Sequence, residues 1–522
     1  MNTITINASY KASFEYLISK SGMTLNEYQL QGVMWCIKNE INPNPVHNVR
    51  GGIIADEMGL GKTLCMIGTI YSHFLRHTLI VVPPILVQQW VNEIARITGH
   101  RALVYYGLNK KSITRAQLDK SIIVITTYNT LVVDKYLLKS IEWDRIIYDE
   151  AHHLRNSKTV RFVHAQALKS PIRWLVTGTP IQNSCNDFYN LCHMLGLPKS
   201  YYSNSANLKT LRDIFVLRRT KSQVGIILPA LTTTVTKTSW KDLDECNFAR
   251  EMHSLLPNQT FVEQTDNMEL SCAYSASGIT RLTACLRARQ ICIMPSLLRD
   301  NITKNLINTN LLSPEYCPSM KYSSKIDAVM DVILSRATNN RGKIIFCHFQ
   351  KEIDTIASRL RAKGLVNVLT YDGRTSKSDF EQIISTAQIL IIQIQTGCEG
   401  INLQQNFSEI YFVSPHWNPA VEQQAIARCH RIGQTKPVDV FKFIMQGFDE
   451  ECKALEVPTK SLEVPTKSLE SAIKSLEVPT NSLETYVRSQ QDLKQSQSDE
   501  LLDYSEIINV MPRRKKSSKL YN

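Results

Sequence analysis

The 522-residue sequence has 13 cysteines but no C-x-x-C pair. The pairs Cys185 with Cys192 and Cys285 with Cys292 are each seven residues apart, a spacing that suits neither a zinc site nor a disulfide scaffold. The first 17 residues contain no apolar signal-peptide core, and no apolar run approaches the ~18 residues of a membrane-spanning helix. We therefore expect a soluble intracellular protein that has no membrane partner and keeps its cysteines reduced.

Basic residues outnumber acidic residues in the sequence. Lys and Arg number 60 and Asp and Glu number 47, which gives a formal net charge of +13. A basic surface lowers the free energy of phosphate binding and so favours a polyanionic partner, although many basic proteins bind no nucleic acid. With 43% hydrophobic residues, the chain is long enough and apolar enough for two or three packed domains.

Two stretches alternate short apolar segments with helical patterns, which is typical of parallel α/β sheets. In the first stretch we predict strands at residues 52–55, 78–82, 122–126, 145–148 and 173–177. In the second stretch we predict strands at residues 343–347, 366–371, 388–393, 409–413 and 438–444. The predicted domains are an N-terminal extension at 1–24, lobe one at 25–229, a helical insertion at 230–320, lobe two at 321–454 and a tail at 455–522.

The character of the sequence changes after Ala454. A seven-residue unit, LEVPTKS, begins at residue 455, and related copies follow at residues 462–468, 469–475 and 476–482. A period of seven suits a coiled coil, but proline in three of the four copies excludes one, because each would cost ~3 kcal/mol inside a helix. We therefore predict a flexible, disordered tail at 455–522 that ends in a basic cluster at 513–516. Truncation after Ala454 should then leave a folded protein.

A glycine-rich turn follows the first predicted strand, where residues 56–63 read DEMGLGKT. Such glycines let backbone N–H groups close around phosphate oxygens, while Lys62 adds a cation and the Thr63 hydroxyl can ligate Mg²⁺. The general P-loop pattern has glycine at the position of Asp56, so this loop is a variant. We predict a nucleotide-binding loop made of Asp56, Glu57, Met58, Gly59, Leu60, Gly61, Lys62 and Thr63.

A later apolar strand ends in two adjacent carboxylates, Asp149 and Glu150. At the carboxyl edge of a parallel strand, Asp149 can hold Mg²⁺ while Glu150 polarises the attacking water. An Asp-Glu pair alone would more often begin a solvated loop, but the P-loop favours the catalytic interpretation. We predict Thr63 and Asp149 as the metal ligands.

Arg428 and Arg431 are three residues apart, a spacing that places them on one face of a helix. Two guanidinium groups there would reach across a cleft to the γ-phosphate, although arginines at this spacing usually form a solvated face. We predict Lys62, Asp149, Glu150, Arg428 and Arg431 as the catalytic residues.

The P-loop together with DEAH at residues 149–152 resembles the Swi/Snf-type ATPases of helicase superfamily two. Tyr28 and Gln29 resemble the family's Q motif, which reads adenine, and complete the predicted cofactor-binding set. Further segments resemble the family's motifs in order, namely 79–83 with 89–90, 126–128, 177–183, 217–221, 397–403 and 423–434.

The resemblance implies two RecA-like lobes and a DNA-dependent ATPase that uses ATP and Mg²⁺. It implies that the enzyme translocates on double-stranded DNA to displace or remodel DNA-bound protein complexes of chromatin, transcription or repair, in the nucleus or at a viral replication site. A strand-separating DNA or RNA helicase and an inactive DNA-binding scaffold are the alternatives. The presence of Lys62, Glu150 and Arg431 argues against the scaffold.

Residues 287–292, 323–326 and 417–422 resemble the branch of this family that contains DNA-repair and transcription-terminating ATPases. Some members carry a RING finger between the lobes, but this sequence has no such cysteine–histidine array, so ubiquitin-ligase activity is not implied. Cys398 and Glu399 depart from motif V. The helix that braces the two lobes in this family would start near Phe448, but the proline-bearing repeat begins within a turn or two of that residue. We therefore expect regulation and coupling of the lobes to differ.

Overall fold

The computed structural model describes residues 3–44, 47–134, 136–181, 185–254, 256, 281–298, 323–375, 380–397, 402–448 and 482–502. Two sheets organise these residues, and every strand pairing within them is parallel. This arrangement confirms the predicted α/β fold with two parallel-sheet lobes. Within the described ranges, no helix combines the length and the apolar character needed to cross a membrane.

Lobe one is built on a seven-stranded sheet in the order β3-β4-β2-β5-β6-β1-β7. Its strands are β1 Arg50–Ile54, β2 Thr78–Val82, β3 Leu103–Val104, β4 Ile123–Thr127, β5 Arg145–Asp149, β6 Ile172–Val176 and β7 Val216–Leu217. The central strands β2, β4 and β5 are buried along their whole length, as expected for a parallel sheet covered on both faces. Its helices are α1 Thr3–Lys20, α2 Glu27–Ile41, α3 Lys62–Ser72, α4 Val87–Thr98, α5 Arg115–Lys120, α6 Tyr128–Val133, α7 Val160–Gln166, α8 Cys185–Leu195, α9 Lys199–Tyr202 and α10 Leu208–Phe215.

The N-terminal helix α1 is part of lobe one, whereas we predicted an extension before the lobe. Phe14, Leu17 and Ile18 are buried in the same apolar cluster as α2 and α3. Gly68 of α3 makes this packing possible, because a Cβ at that position would lie 2.5 Å from Cε2 of Phe14. The helix therefore completes one face of the lobe-one core.

Lobe two is built on a six-stranded sheet in the order β10-β11-β9-β12-β13-β8. Its strands are β8 Leu231–Thr238, β9 Gly342–Cys347, β10 Val368–Tyr371, β11 Ile389–Gln393, β12 Phe407–Phe412 and β13 Val438–Met445. Its helices are α13 Ser324–Ser335, α14 Gln350–Ala362, α15 Phe380–Thr386, α16 Ile394–Gly397 and α17 Pro419–Cys429. Apolar clusters cover both faces of this sheet.

The segment between the lobes differs from the predicted helical insertion at its start. β8 lies within it but pairs with β13 over its whole length, so it forms the edge of the lobe-two sheet. Most of its side chains are exposed, and its sequence, LTTTVTKT, is rich in threonine. It therefore lacks the continuous apolar pattern by which we identified the other strands. Helices α11 Leu243–Ser254 and α12 Arg281–Ile293 follow, in agreement with the predicted helical character.

The predicted disordered tail contains a packed helix, α18 Leu483–Leu502. Leu483 and Val487 contact α12 through Ala288, and Ser482 donates from its hydroxyl to the backbone oxygen of Met445 at 2.6 Å. The helix begins directly after the last copy of the repeat, which ends at Ser482. Most of the repeat, the cluster at 513–516 and the departures at 398–399 lie outside the described residues.

Candidate active site

The P-loop connects β1 to α3, and its backbone has the shape that phosphate binding requires. Gly59 and Gly61 have positive φ values of 91° and 81°, which glycine adopts without steric cost. A Cβ at Gly61 would also lie 2.8 Å from Nε2 of Gln29, so the loop is closed against the start of α2. The loop thereby places backbone amides at the N-terminus of α3, where a helix attracts phosphate.

Lys62 is the first residue of α3, and its side chain points back into the loop. Its Nζ donates to the backbone oxygens of Asp56 at 2.8 Å and Glu57 at 3.3 Å. Burial lowers the pKa of Lys62, although the charges of Glu150, Asp56 and Asp149 oppose that change. The ammonium group is thus held by neutral acceptors, for which a charged phosphate is the stronger replacement.

Asp149 and Glu150 lie at the carboxyl end of β5. Asp149 accepts two hydrogen bonds, at Oδ2 from Nε1 of Trp90 at 2.7 Å and at Oδ1 from the backbone N of Glu150 at 3.0 Å. Glu150 has a φ of 49°, a conformation uncommon for a residue other than glycine. Its Oε2 lies 3.2 Å from Nδ1 of His152. The two adjacent carboxylates therefore have different polar partners.

These partners give the two carboxyl groups different proton affinities. Burial and the neighbouring charge of Glu150 raise the pKa of Asp149 to about 6. Burial also acts to raise the pKa of Glu150, but the hydrogen bond and charge of His152, with the charges of Lys62 and Arg428, lower that pKa to about 2. The ionised form of Glu150 is therefore stabilised more strongly than the ionised form of Asp149.

Arg428 and Arg431 lie in lobe two, but not on one helix face as predicted. α17 ends at Cys429, so Arg428 lies in its last turn and Arg431 lies beyond it. The helix stops because His430 leaves the helical region, with a ψ of 77°. Arg431 then lies against the P-loop, since a Cβ on Gly59 would be 3.6 Å from the Cβ of Arg431.

A cleft between the lobes brings the predicted catalytic residues together. All five line it, together with Met58, Gly59, Gly61 and Thr63 of the P-loop. Five predicted cofactor-binding residues do not line it, namely Tyr28, Gln29, Asp56, Glu57 and Leu60. Leu60 is buried, and the carboxylates of Asp56 and Glu57 face Arg219 and Lys221.

Five further residues line the cleft that we did not predict as site residues, namely Leu86, Gln89, Trp90, Gly178 and Ala427. Gly178 packs on the loop, because a Cβ there would lie 2.8 Å from Cγ of Met58 and 3.4 Å from Nζ of Lys62. Four of them belong to segments that resemble family motifs, at 89–90, 177–183 and 423–434, and Leu86 lies just before the first of these. For those four residues, the resemblance to family motifs identified the segment but not the role of the side chain.

The donor set in the cleft fits Mg²⁺. In the described part of the chain, no group of three or more His, Cys, Asp or Glu side chains is arranged to hold a metal ion. Mg²⁺ in nucleotide sites uses one or two carboxylates, with phosphate oxygens and water completing its shell. Thr63 and Asp149, which line the same cleft, provide a hydroxyl and a carboxylate of the required kind.

Comparison with known proteins gives two domain matches. The SNF2-related domain matches residues 28–297, which is more than half of the chain, and the helicase conserved C-terminal domain matches residues 324–433. The ATP-dependent DNA helicase DDM1 of Arabidopsis thaliana is 28% identical over 81% of this chain and 59% of its own length. A probable global transactivator of the Orgyia pseudotsugata multicapsid polyhedrosis virus is 28% identical over 82% of this chain and 87% of its own.

An uncharacterized ATP-dependent helicase of Mycoplasma genitalium is 29% identical, and the match covers 82% of this chain and 40% of that protein. This chain therefore spans less than two thirds of the length of several relatives. The SWI2/SNF2 ATPase core of Sulfolobus solfataricus in complex with dsDNA is 24% identical, with coverage of 92% of this chain and 94% of that chain and a TM-score of 0.38. On the two domain matches, the chain belongs to the SNF2-related family of ATP-dependent helicase-type enzymes.

Proposed function

We propose that this chain hydrolyses ATP in the cleft between its lobes and thereby moves along double-stranded DNA, displacing or remodelling the proteins bound there. The main support is that Lys62 and Glu150 of lobe one and Arg431 of lobe two line the same cleft. A site shared by two lobes links chemistry to motion, because closing the cleft completes the site and opening it separates the catalytic groups.

Lobe one binds the nucleotide in this proposal. The P-loop amides and Lys62 hold the phosphates, and Thr63 and Asp149 hold Mg²⁺, which neutralises phosphate charge when bound. Glu150 is ionised at neutral pH and accepts a hydrogen bond from the attacking water. His152 and the charges of Lys62 and Arg428 hold the pKa of Glu150 below its usual range, which suits a role in orienting that water.

Lobe two supplies the positive charge that phosphoryl transfer needs. Arg428 and Arg431 stabilise the charge that develops on the phosphate oxygens, and Nη1 of Arg431 is oriented by a hydrogen bond to Oδ1 of Asn402. Burial lowers the pKa of Arg431, with the charge of Arg428 contributing, but the guanidinium stays protonated. Lobe closure therefore controls when the transition state is stabilised.

Duplex DNA is the partner that the family suggests. The net charge of +13 supplies attraction to phosphates, and the relatives include a DNA helicase and a chromodomain-helicase-DNA-binding protein. We infer that the chain acts in a nucleus or at a site of viral replication. We also infer the repair and transcription-termination branch, from the segments at 287–292, 323–326 and 417–422.

A phosphate-release assay with duplex DNA, single-stranded DNA and RNA tests the proposal. We expect the greatest stimulation by duplex DNA, and loss of turnover in Lys62→Ala and in Glu150→Gln, with DNA binding retained in both variants. Near-normal turnover in either variant contradicts the assigned site. A strand-displacement assay separates duplex translocation from the strand-separating helicase that the relatives' names also permit.

A further inference from the structure

The segment that leaves lobe one, residues 217–221, runs beside the P-loop and is called the strap here. β7 pairs with the end of β1, and the pairing continues beyond both strands. The backbone oxygen of Leu217 accepts from N of Ala55 at 2.8 Å, and that of Arg219 accepts from N of Glu57 at 2.9 Å. The strap is therefore held in register with the acidic start of the P-loop.

Arg219 anchors the strap to lobe one. Its Nε and Nη2 donate to Oδ1 and Oδ2 of the buried Asp56 at 3.1 and 2.5 Å. Its Nη1 donates to the backbone oxygen of Tyr28, and its guanidinium lies 5.6 Å from the centre of the Tyr28 ring. Gly32 leaves the space, because a Cβ there would lie 2.8 Å from Nη2 of Arg219. This bidentate pair accounts for an aspartate where the general P-loop has glycine.

Lys221 connects the same loop to lobe two. Its backbone N donates to Oε2 of Glu57 at 2.7 Å, and its Nζ lies 3.1 Å from Oε1 of Glu57. The Nζ also donates to the backbone oxygen of His430 at 3.4 Å. His430 makes a second hydrogen bond to the segment that leaves lobe one, since its Nε2 donates to the backbone oxygen of Pro229 at 2.8 Å. His430 directly precedes Arg431.

We propose that Lys221 is a positioning residue that transmits the state of the P-loop to Arg431 through the backbone of His430. The loop, the strap and the arginine meet at one point, because a Cβ on Gly59 would lie 3.6 Å from both Cε of Lys221 and Cβ of Arg431. When the lobes separate, the Arg219–Asp56 pair within lobe one persists and the Lys221–His430 contact breaks. This inference rests on the proposed function for the role of Arg431.

The test compares four variants by kcat, by lobe distance and by affinity for a fluorescent ATP analogue. Lys221→Met removes the donor but keeps an apolar stem of similar length, Lys221→Arg keeps a donor, and Lys199→Met removes an exposed lysine of lobe one as the control. The reversed pair Glu57→Lys with Lys221→Glu keeps opposite charges together but has no donor for His430. The first measurement is kcat for ATP. The second is fluorescence energy transfer between two dyes, one on each lobe. The dyes are attached to azide-bearing amino acids that replace Tyr136 and Val366, whose side chains are 79% and 67% exposed.

We expect Lys221→Met and the reversed pair to bind a fluorescent ATP analogue normally but to lose the nucleotide-induced change in lobe distance. Their kcat should fall by roughly 5- to 150-fold, the range of typical coupling between sites. Lys221→Arg and Lys199→Met should match the unchanged protein. Normal lobe closure in Lys221→Met, or a reversed pair that behaves like the unchanged protein, overturns the proposal. If the unchanged protein closes on nucleotide without hydrolysing ATP, the proposed function fails, and the lobe-distance comparison still decides the role of Lys221.

Discussion

Lys325 and Glu484 form an ion pair in which both side chains are buried, 0% and 1% exposed, although 159 residues separate them in sequence. Glu484 also accepts from the hydroxyl of Ser414 at 2.6 Å and from the backbone N of Met445 at 2.8 Å. Breaking a buried pair leaves an uncompensated charge, which costs far more than breaking an exposed pair. This pair therefore ties α18 to lobe two.

Glu484→Ala should lower the free energy of unfolding of lobe two by about 3–5 kcal/mol, the usual cost of leaving one partner of a buried pair. Asp492→Ala on the same helix is the matched control. It breaks the pair between the exposed Asp492 and the partly exposed Arg488, at 3.1 Å, and should cost less than about 1 kcal/mol. Urea denaturation measures both variants, and equal midpoints for the two contradict the structural role of Glu484.

The sequence led us to expect that truncation after Ala454 leaves a folded protein. Because of the buried Lys325–Glu484 pair, we now expect the opposite. Such a truncation removes Glu484 and leaves Lys325 buried without its partner. It should therefore destabilise lobe two at least as much as Glu484→Ala does, whereas removal of residues 503–522 alone should not. Thermal melting of the two truncated proteins checks this comparison.

Arg431→Ala should reduce the saturated ATPase rate by about 10³- to 10⁵-fold, because an arginine finger stabilises charge that develops only in the transition state. Affinity for ATP should change little. Arg359→Ala, at an ion pair with Asp327 on lobe two, is the control and should keep its rate. If Arg431→Ala weakens ATP binding but keeps the saturated rate, Arg431 does not stabilise the transition state as an arginine finger.

Trp90→Phe should raise the Mg²⁺ concentration needed for half-maximal nucleotide binding, because it removes the donor that orients Asp149 at 2.7 Å. Loss of such a partner typically costs about 10- to 100-fold in metal affinity. Trp143→Phe removes another buried indole donor of lobe one, which bonds to the backbone oxygen of Leu138 at 3.0 Å. Titration of Mg²⁺ against a fluorescent nucleotide distinguishes them, and equal requirements in both variants rule out the orienting role.

His416→Asn should make lobe two less sensitive to acid. Burial, with the nearby charge of Arg289, lowers the pKa of His416 to about 4 in the folded protein, whereas an unfolded histidine titrates near 6.5. The stabilisation from neutral His416 is therefore present above pH 6.5 and is lost as the pH falls towards 4. The asparagine oxygen can still accept from the backbone N of Asn418, which bonds to Nδ1 of His416 at 3.0 Å. Melting temperatures at pH 7 and pH 5 should differ less in the variant than in the unchanged protein.

Most of the residues that line the candidate site were predicted from the sequence because their signals are local. Glycine at residues 59 and 61 is required by positive φ values within one turn, and Lys62 and Thr63 follow in the adjoining helix. The buried parallel strands likewise had continuous apolar patterns. The roles of Trp90 and Arg219 could not be predicted, since Trp90 bonds to Asp149 across 59 residues and Arg219 to Asp56 across 163.

The sequence by itself determined the two-lobed α/β fold, the P-loop and the carboxylate pair, because strand periodicity, glycine and adjacent acidic residues act over short distances. Only the tertiary structure decided that β8 belongs to lobe two, that α1 completes the core of lobe one, and that α18 packs where we expected a tail. β8 is mostly exposed and carries no apolar pattern, and α18 is held by a partner far away in sequence. The free energy that stabilises these elements comes from contacts between segments that are distant in sequence. A local sequence pattern contains no information about such contacts.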